Sequence, residues 1–350
     1  RRRDPGMSQS FIREAILMHI KIPQIAVPDF WLGNLGKVES YLRRRLVTGQ
    51  RSSFGTSTFG YDLHVVEYPN EGAVKLMVIG GTHGHEPTGV ASVMNLIHLL
   101  ETGVDLDGRP HDRLLALAQS LHLYLVPCLN PDGRSVCPDS FYCGGIDTCV
   151  AFASGIQLNG DLVPYDANSS EPCYYFDPAQ AIFVGGQFNG AGWAMNRRLS
   201  DDHSEAVEVQ ALLELCCGLG VHAILDLHAC GYNFAFQARS HEPPYWPIMR
   251  EWQSRAETLF GAKGRQLGKL NGDGDPPTPP DFFFNSALLH KHAQLMWVTY
   301  EGRQGYIGRS SFTPLPTEWE IIDDYLTAIQ VYLELGLEEH YARANRDVFG

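Results

Sequence analysis

The sequence predicts an α/β fold: a mixed, mainly parallel twisted sheet with helices on both faces. Two patterns point there. Strand-like and helix-like segments alternate along the chain. The strand-like runs are apolar at nearly every position, as expected for strands covered on both faces. A third observation gives the fold a consequence: metal-ligating and acidic residues follow the ends of these runs. Ligands of such sheets bind outside the carboxyl ends of the strands.

The elements follow in order. Residues 1–54 read as a helical lead-in packed on the main domain, and "RSSFGTSTFG" (51–60) as a Gly- and Ser-rich break. "YDLHVVEY" (61–68) and "VKLMVIG" (74–80) read as strands, and "GVASVMNLIHLLE" (89–101) as a helix with its apolar residues on one face. "LHLYLVP" (121–127) is a strand, "SEAVEVQALLELC" (204–216) a helix and "VHAILDLH" (221–228) a strand. "EPPYWPIMREWQSRAETLF" (242–260) contains a helix, "LMWVTYE" (295–301) is a strand, and "PTEWEIIDDYLTAIQVYLELG" (316–336) is a strong closing helix. Residues 134–195 break the rhythm with Gly, Pro, Asn, Asp, Cys and aromatics. So long a structureless stretch is uncommon inside a domain. It is expected to be an insertion near the site, folded on itself, within a catalytic domain spanning 55–340. "NGDGDPPTPP" (271–280) is a second, proline-stiffened loop.

The 350 residues are 44% hydrophobic with a net charge of −13. Nothing in this balance points to nucleic-acid binding, which needs a basic stripe, and none is expected. No apolar run approaches a membrane span. "FIREAILMHI" (11–20) is interrupted by Arg13, Glu14 and His19 and has no cleavage pattern after it, so no secretory signal is expected. Cys128, Cys216, Cys217 and Cys230 lie in apolar stretches and read as small core residues. Cys137, Cys143, Cys149 and Cys173 cluster in the loop-rich insertion without zinc-knuckle spacing. A cytoplasmic location is expected; disulfides within that cluster in a secreted protein are the alternative.

The chemistry concentrates in "GGTHGHEPTG" (80–89), after the strand 74–80. His83 and Glu86 are spaced so that one short turn can aim both at a point, and imidazole with carboxylate suits zinc. His228, ending the strand "LDLH", supplies a third ligand from another strand end. Glu301, ending "LMWVTYE", offers a carboxylate that can take a proton from a metal-activated water. Any one of these alone would read as a structural histidine or a solvated glutamate. Three strand ends together indicate a metal hydrolase.

The set resembles the zinc carboxypeptidase family, the M14 or funnelin metallopeptidases. "HGHE" (83–86), "NPDG" (130–133), "NRR" (196–198), "SEAVE" (204–208), "LDLH" (225–228) and "VTYEGRQG" (298–305) occur in the family's order, over roughly residues 60–335. The resemblance implies one Zn2+ per chain on His83, Glu86 and His228, with Glu301 as general base. It also implies that Asn196 and Arg197 hold a substrate carboxylate, a task the planar guanidinium suits. "NPDG" reads as a turn. Arg134, directly after it, is the candidate for the arginine with which the family steadies the oxyanion; Arg198 and Arg239 are alternatives. His85 is expected beside the ligands or facing solvent, and "HKH" (290–292) at an exposed helix end.

Three positions depart from the family. Ala194 stands where an aspartate often orients a zinc histidine, so His83 must be oriented otherwise. "PPDFFFNSALL" (279–289) carries Phe282, Phe283 and Phe284 where a mobile tyrosine is common, leaving Tyr245 and Tyr306 as substitutes. The insertion is long. The implied reaction is hydrolysis of an amide next to a free carboxylate, on a peptide. Hydrolysis of small N-acyl amino acids, as in the aspartoacylase and succinylglutamate desuccinylase group, is the main alternative. A cell-wall peptide amidase and an inactive binding relative are more remote. With Asn285, Ser286, Ala287 and Leu288 before the last strand and no acid among them, an apolar or aromatic terminal side chain is expected.

Overall fold

The computed structural model describes residues 26–139, 146–164, 174–197, 199–200, 202–229, 235–238, 243–268, 285–303 and 316–350. Helix α1 (Leu35–Arg44) leads to strands β1 (Gln50–Thr56), β2 (Asp62–Tyr68) and β3 (Lys75–Gly80). Helices α2 (Pro87–Thr102) and α3 (Asp112–Gln119) precede β4 (His122–Val126), and the short α4 (Pro131–Ser135) follows it. Next come α5 (Ile146–Ser154), β5 (Gly155–Gln157), β6 (Ala181–Val184), α6 (Val207–Leu219), β7 (Ala223–Ala229) and β8 (Ala235–Ala238). The chain closes with α7 (Trp246–Ala262), α8 (Asn285–Ala293), β9 (Met296–Gly302), α9 (Glu318–Leu337) and α10 (His340–Phe349).

Seven strands form one sheet in the order β1-β2-β4-β3-β7-β9-β8. The four central strands β4, β3, β7 and β9 are parallel, while β1, β2 and β8 join antiparallel. Alternate residues of the central strands enter two separate cores. Leu76, Val78, Leu123, Leu125, Leu225, Leu227, Val298 and Tyr300 pack on one face with α2, α7 and α9. Met77, Ile79, Tyr124, Val126, Ile224 and Trp297 pack on the other with α6 and α8. Both faces are dry, which is why these strands carry no polar alternation. Helix ends carry local signals too. α2 starts on Pro87 and stops at Gly103 in the left-handed region, and α9 opens with a Thr317–Glu320 capping box.

Two segments differ from the sequence reading. The Gly- and Ser-rich stretch after residue 50 is not a break but β1, with a bulge between Ser53 and Gly55. It is an edge strand with most of its residues exposed, so it has no apolar pattern to read. The irregular 134–195 segment contains α5 and the β5–β6 pair, built on small clusters of its own: Cys137, Phe152 and Phe183, and Val163, Phe188 and Ala194. Such short elements carry too few apolar residues to show a period. Cys128 and Cys216 are buried thiols, but Cys217 is exposed, because the next residue on a helix turns to a different face. Cys143, Cys173 and Cys230 lie outside the described residues. Among the described residues no helix is long and apolar enough to cross a membrane.

Candidate metal centre

Because β3, β7 and β9 are parallel neighbours, their carboxyl ends lie side by side. The chain leaves β3 through Gly81 (φ 64°) and folds the 82–86 turn over the sheet edge. That turn is wedged. Gly84 N–H donates to the Gly186 carbonyl (2.7 Å), and Leu129 and Asn130 N–H donate to the carbonyls of Gly80 and Gly81 (3.0 and 2.9 Å). A Cβ on Gly84 would lie 2.1 Å from the Gly133 carbonyl carbon, so only glycine fits there.

The turn delivers His83 and Glu86 to His228 at the end of β7. His83 Nδ1 lies 3.1 Å from Glu86 Oε1 and 3.2 Å from His228 Nδ1. His228 Nδ1 lies 3.4 Å from Glu86 Oε2. One ligand atom from each of the three sits within 4.8 Å of the others, and all three residues are buried. His228 Nε2 is 2.6 Å from Asp226 Oδ2, an acceptor for the N–H at Nε2, so that Nδ1 is the ring nitrogen facing the cluster. Two imidazoles and a carboxylate converging away from water are a donor set that suits zinc. The carboxylates of Asp226 and Glu86 favour positive charge between them. Burial opposes charge on His228, yet Asp226 and Glu86 outweigh it and hold its pKa well above the ordinary value. Burial likewise opposes the Glu86 charge, but His83 and His228 push its pKa far down.

Glu301 stands across the β7–β9 pair, in register with His228. It lines the same cavity as His83, His228, Asn196, Asp226, Asn285 and Thr299. The cavity holds about 50 Å³, several times the roughly 10–15 Å³ that one water needs. Arg197 follows Asn196, is buried, and is not among the lining residues.

The family model for zinc carboxypeptidases of the M14 peptidases matches residues 50–232. The chain belongs to the zinc carboxypeptidase family. It is accordingly a zinc metallopeptidase of the carboxypeptidase type. Among curated proteins, none matches the sequence significantly. Solved structures share its fold. A metallo-carboxypeptidase from Burkholderia cenocepacia is 14% identical, with 86% of this chain and 69% of that one covered and a TM-score of 0.57. A metallo-carboxypeptidase from Pseudomonas aeruginosa, in complex with (2-guanidinoethylmercapto)succinic acid, is 17% identical over 88% and 69% (TM-score 0.56). Bovine thrombin-activatable fibrinolysis inhibitor, in complex with tick carboxypeptidase inhibitor, is 14% identical over 87% and 97% (TM-score 0.54).

Within this zinc carboxypeptidase, Arg134, the residue expected to steady the oxyanion, is held by backbone carbonyls. The side chain is fully buried and absent from the cavity lining. NH1 donates to the Gly84 carbonyl (2.6 Å), and NH2 to those of Cys137 (2.8 Å) and Pro138. The guanidinium thus props the 82–86 turn from behind. Arg198 and Arg239 lie outside the described residues, as do Phe282, Phe283, Phe284 and Tyr306. Tyr245 is buried with its hydroxyl on Asn345 Oδ1 (2.8 Å), which ties down α10 rather than serving the site. His85 is buried rather than solvent-facing. Its ring stacks on His83, and its Nε2 lies 3.5 Å from Glu86 Oε1. Desolvation pulls its pKa down to about 3, so it is neutral.

One supporting group was not singled out by the sequence reading. Asp226 sits two residues before His228 on the same strand face and also accepts from Thr82 Oγ1 (2.7 Å). The signal was present in "LDLH", since a strand places residues i and i+2 on one side. Ala194 packs in an apolar cluster with Val163 and Phe188, and among the described residues His83 Nε2 is buried with no hydrogen-bond partner. The two histidines are therefore supported unequally. "NPDG", expected as a turn, is the cap and first residues of the short helix α4. Asn130 caps α4 by accepting from Gly133 N–H (2.8 Å), while Asp132 accepts from Ser57 Oγ (2.5 Å) and from the N–H groups of Phe59 (3.2 Å) and Gly190 (3.0 Å).

Proposed function

We propose that His83, Glu86 and His228 hold one zinc ion and that Glu301 is the general base in hydrolysis of an amide bond beside a free carboxylate. Asn196 and Arg197 are the groups proposed to hold that carboxylate. The observation that carries this reading is the convergence of the three ligand atoms within 4.8 Å, with His83 and His228 lining one cavity together with Glu301 and Asn196. A zinc ion held there supplies Lewis acidity, polarising a carbonyl and acidifying a water. Glu301 takes the proton from the attacking water and returns it to the leaving amine. Asn196 and Arg197 hold the substrate's end so that its last amide meets the base, and positioning of this kind supplies much of a rate enhancement.

The substrate proposed is a peptide with a free C-terminus. The family favours this over small N-acyl amino acids. An apolar or aromatic terminal side chain fits the Leu129, Met195, Val209, Leu212 and Trp297 wall of the cavity. Asp226 also lines it, but both its oxygens are engaged, by Thr82 and His228, so it is not offered to a basic side chain.

The test combines metal analysis with hydrolysis. The wild-type chain is expected to carry one zinc and to cleave free-ended peptides but not their C-terminal amides. Glu301→Gln should keep the zinc and lose on the order of 10²–10⁴-fold in rate. Zinc uptake that survives His228→Ala would sink the site assignment. Turnover of N-acyl amino acids in preference to peptides would replace the substrate class.

A further inference from the structure

Tyr325 of α9 touches three segments that adjoin the proposed metal centre without lining its cavity. Its hydroxyl donates to the His228 carbonyl (2.6 Å). With that proton committed, Thr88 Oγ1 donates to the tyrosine oxygen (3.1 Å). Thr88 lies two residues past the ligand Glu86, at the start of α2. The tyrosine ring fills the space where a side chain on Gly302 would be, since a Cβ there would come 2.3 Å from its Cζ. Gly302 directly follows Glu301. One fully buried side chain thus contacts the His228 strand, the Glu301 strand and the helix that begins directly after Glu86.

The His228 contact has a second half. The carbonyl of His228 and the N–H of Ala229 belong to the same peptide group. Ala229 N–H donates to Glu86 Oε2 (3.1 Å). The peptide that follows one ligand is therefore clamped between Tyr325 on one side and another ligand, Glu86, on the other. Loosening the first contact frees this peptide to rotate, which shifts the carboxylate of Glu86 as well as the ring of His228.

We propose that Tyr325 is a positioning residue for the metal centre, acting through the His228–Ala229 peptide. This rests on the zinc-binding reading above. The helix supplies its own control. Tyr332, two turns further along α9, is also fully buried and donates to a strand carbonyl, that of Met77 (3.2 Å), in the middle of β3 and away from the ligands. Tyr325→Phe and Tyr332→Phe are the same chemical change on the same helix.

The experiment is zinc affinity by competition with a chromophoric chelator, together with the visible spectrum of the cobalt-substituted chain, for wild type and each variant. Tyr325→Phe is expected to weaken zinc binding by about ten-fold, the lower end of what outer-shell partners of metal ligands contribute, and to shift the cobalt bands. Tyr332→Phe should lose stability and leave both readouts unchanged. Thr88→Val, which removes the donor to Tyr325 but spares its bond to His228, should fall between them; it also serves if Tyr325→Phe folds poorly. Equal zinc affinity in the two tyrosine variants would overturn the proposal. A wild-type chain that binds no zinc would overturn the metal-site reading itself.

Discussion

Gly84→Ala probes the packing of the ligand turn directly. The added methyl carbon would lie 2.1 Å from the Gly133 carbonyl carbon and 2.2 Å from Arg134 N, where ordinary contact starts near 3.4 Å, a shortfall of 3.4 − 2.1 = 1.3 Å. Both obstacles are backbone, so no rotamer change relieves them. The turn cannot swing away freely either, because its N–H is held by Gly186 and its carbonyl by Arg134. Overpacking typically costs about 1–3 kcal/mol, and a backbone clash of this depth belongs at the upper end. At roughly 2 °C per kcal/mol for a large chain, Tm should fall by about 6 °C. The displacement also separates His83 and Glu86 from His228, and misplacement by about 1 Å is enough to cost roughly 10²-fold in activity. Gly218→Ala in α6 is the counterpart. A Cβ there meets nothing within 4 Å, so helix propensity should stabilise the chain by about 0.5–1 kcal/mol. Denaturant titration and zinc affinity of both variants decide the matter. If Gly84→Ala matches wild type in both, the turn is not wedged between the 130s and Gly186, and the reasoning fails.

Two further predictions follow from neighbouring groups. Asp226→Asn removes the carboxylate that orients His228, and zinc affinity measured against a competing chelator should drop about 10–100-fold; an unchanged value would deny Asp226 that role. Glu208 is fully buried beside Asn189 and Thr58, and burial holds its pKa above the ordinary 4.5. A raised carboxyl pKa means the folded state keeps the proton longer. Its contribution to stability is therefore full below the unfolded value and lost as pH rises through the folded one. Glu208→Gln should flatten that decline in denaturant midpoints measured upward from pH 4.5, and an identical slope in the two proteins would contradict it.

Much of this was legible in the sequence because it is local. The central strands announce themselves through unbroken apolar runs, and a strand covered on both faces has no other composition available to it. His83, Glu86, His228 and Glu301 could be read as one site because parallel neighbours must bring their carboxyl ends together. Asp226 was within reach of the same logic, two residues before His228 on one face of β7. β1 was not, since an edge strand facing water carries no apolar signal.

The remaining features depend on contacts between distant segments, which spacing does not encode. Arg134 follows the "NPDG" turn in sequence, but only the fold turns its guanidinium onto the carbonyls of Gly84 and Cys137 and away from the cavity. The unequal support of the two histidines appears only once Ala194 is seen packed among apolar neighbours while Asp226 reaches His228. Tyr325 lies 97 positions from His228 in a helix whose apolar period accounts for it fully as a core residue. Sequence alone showed which candidate ligand and acid residues stand at which strand ends, because periodicity and strand direction are properties of the local chain. Which polar atoms hold those residues in place was decided by tertiary packing alone, because a hydrogen-bond partner is chosen by position in space.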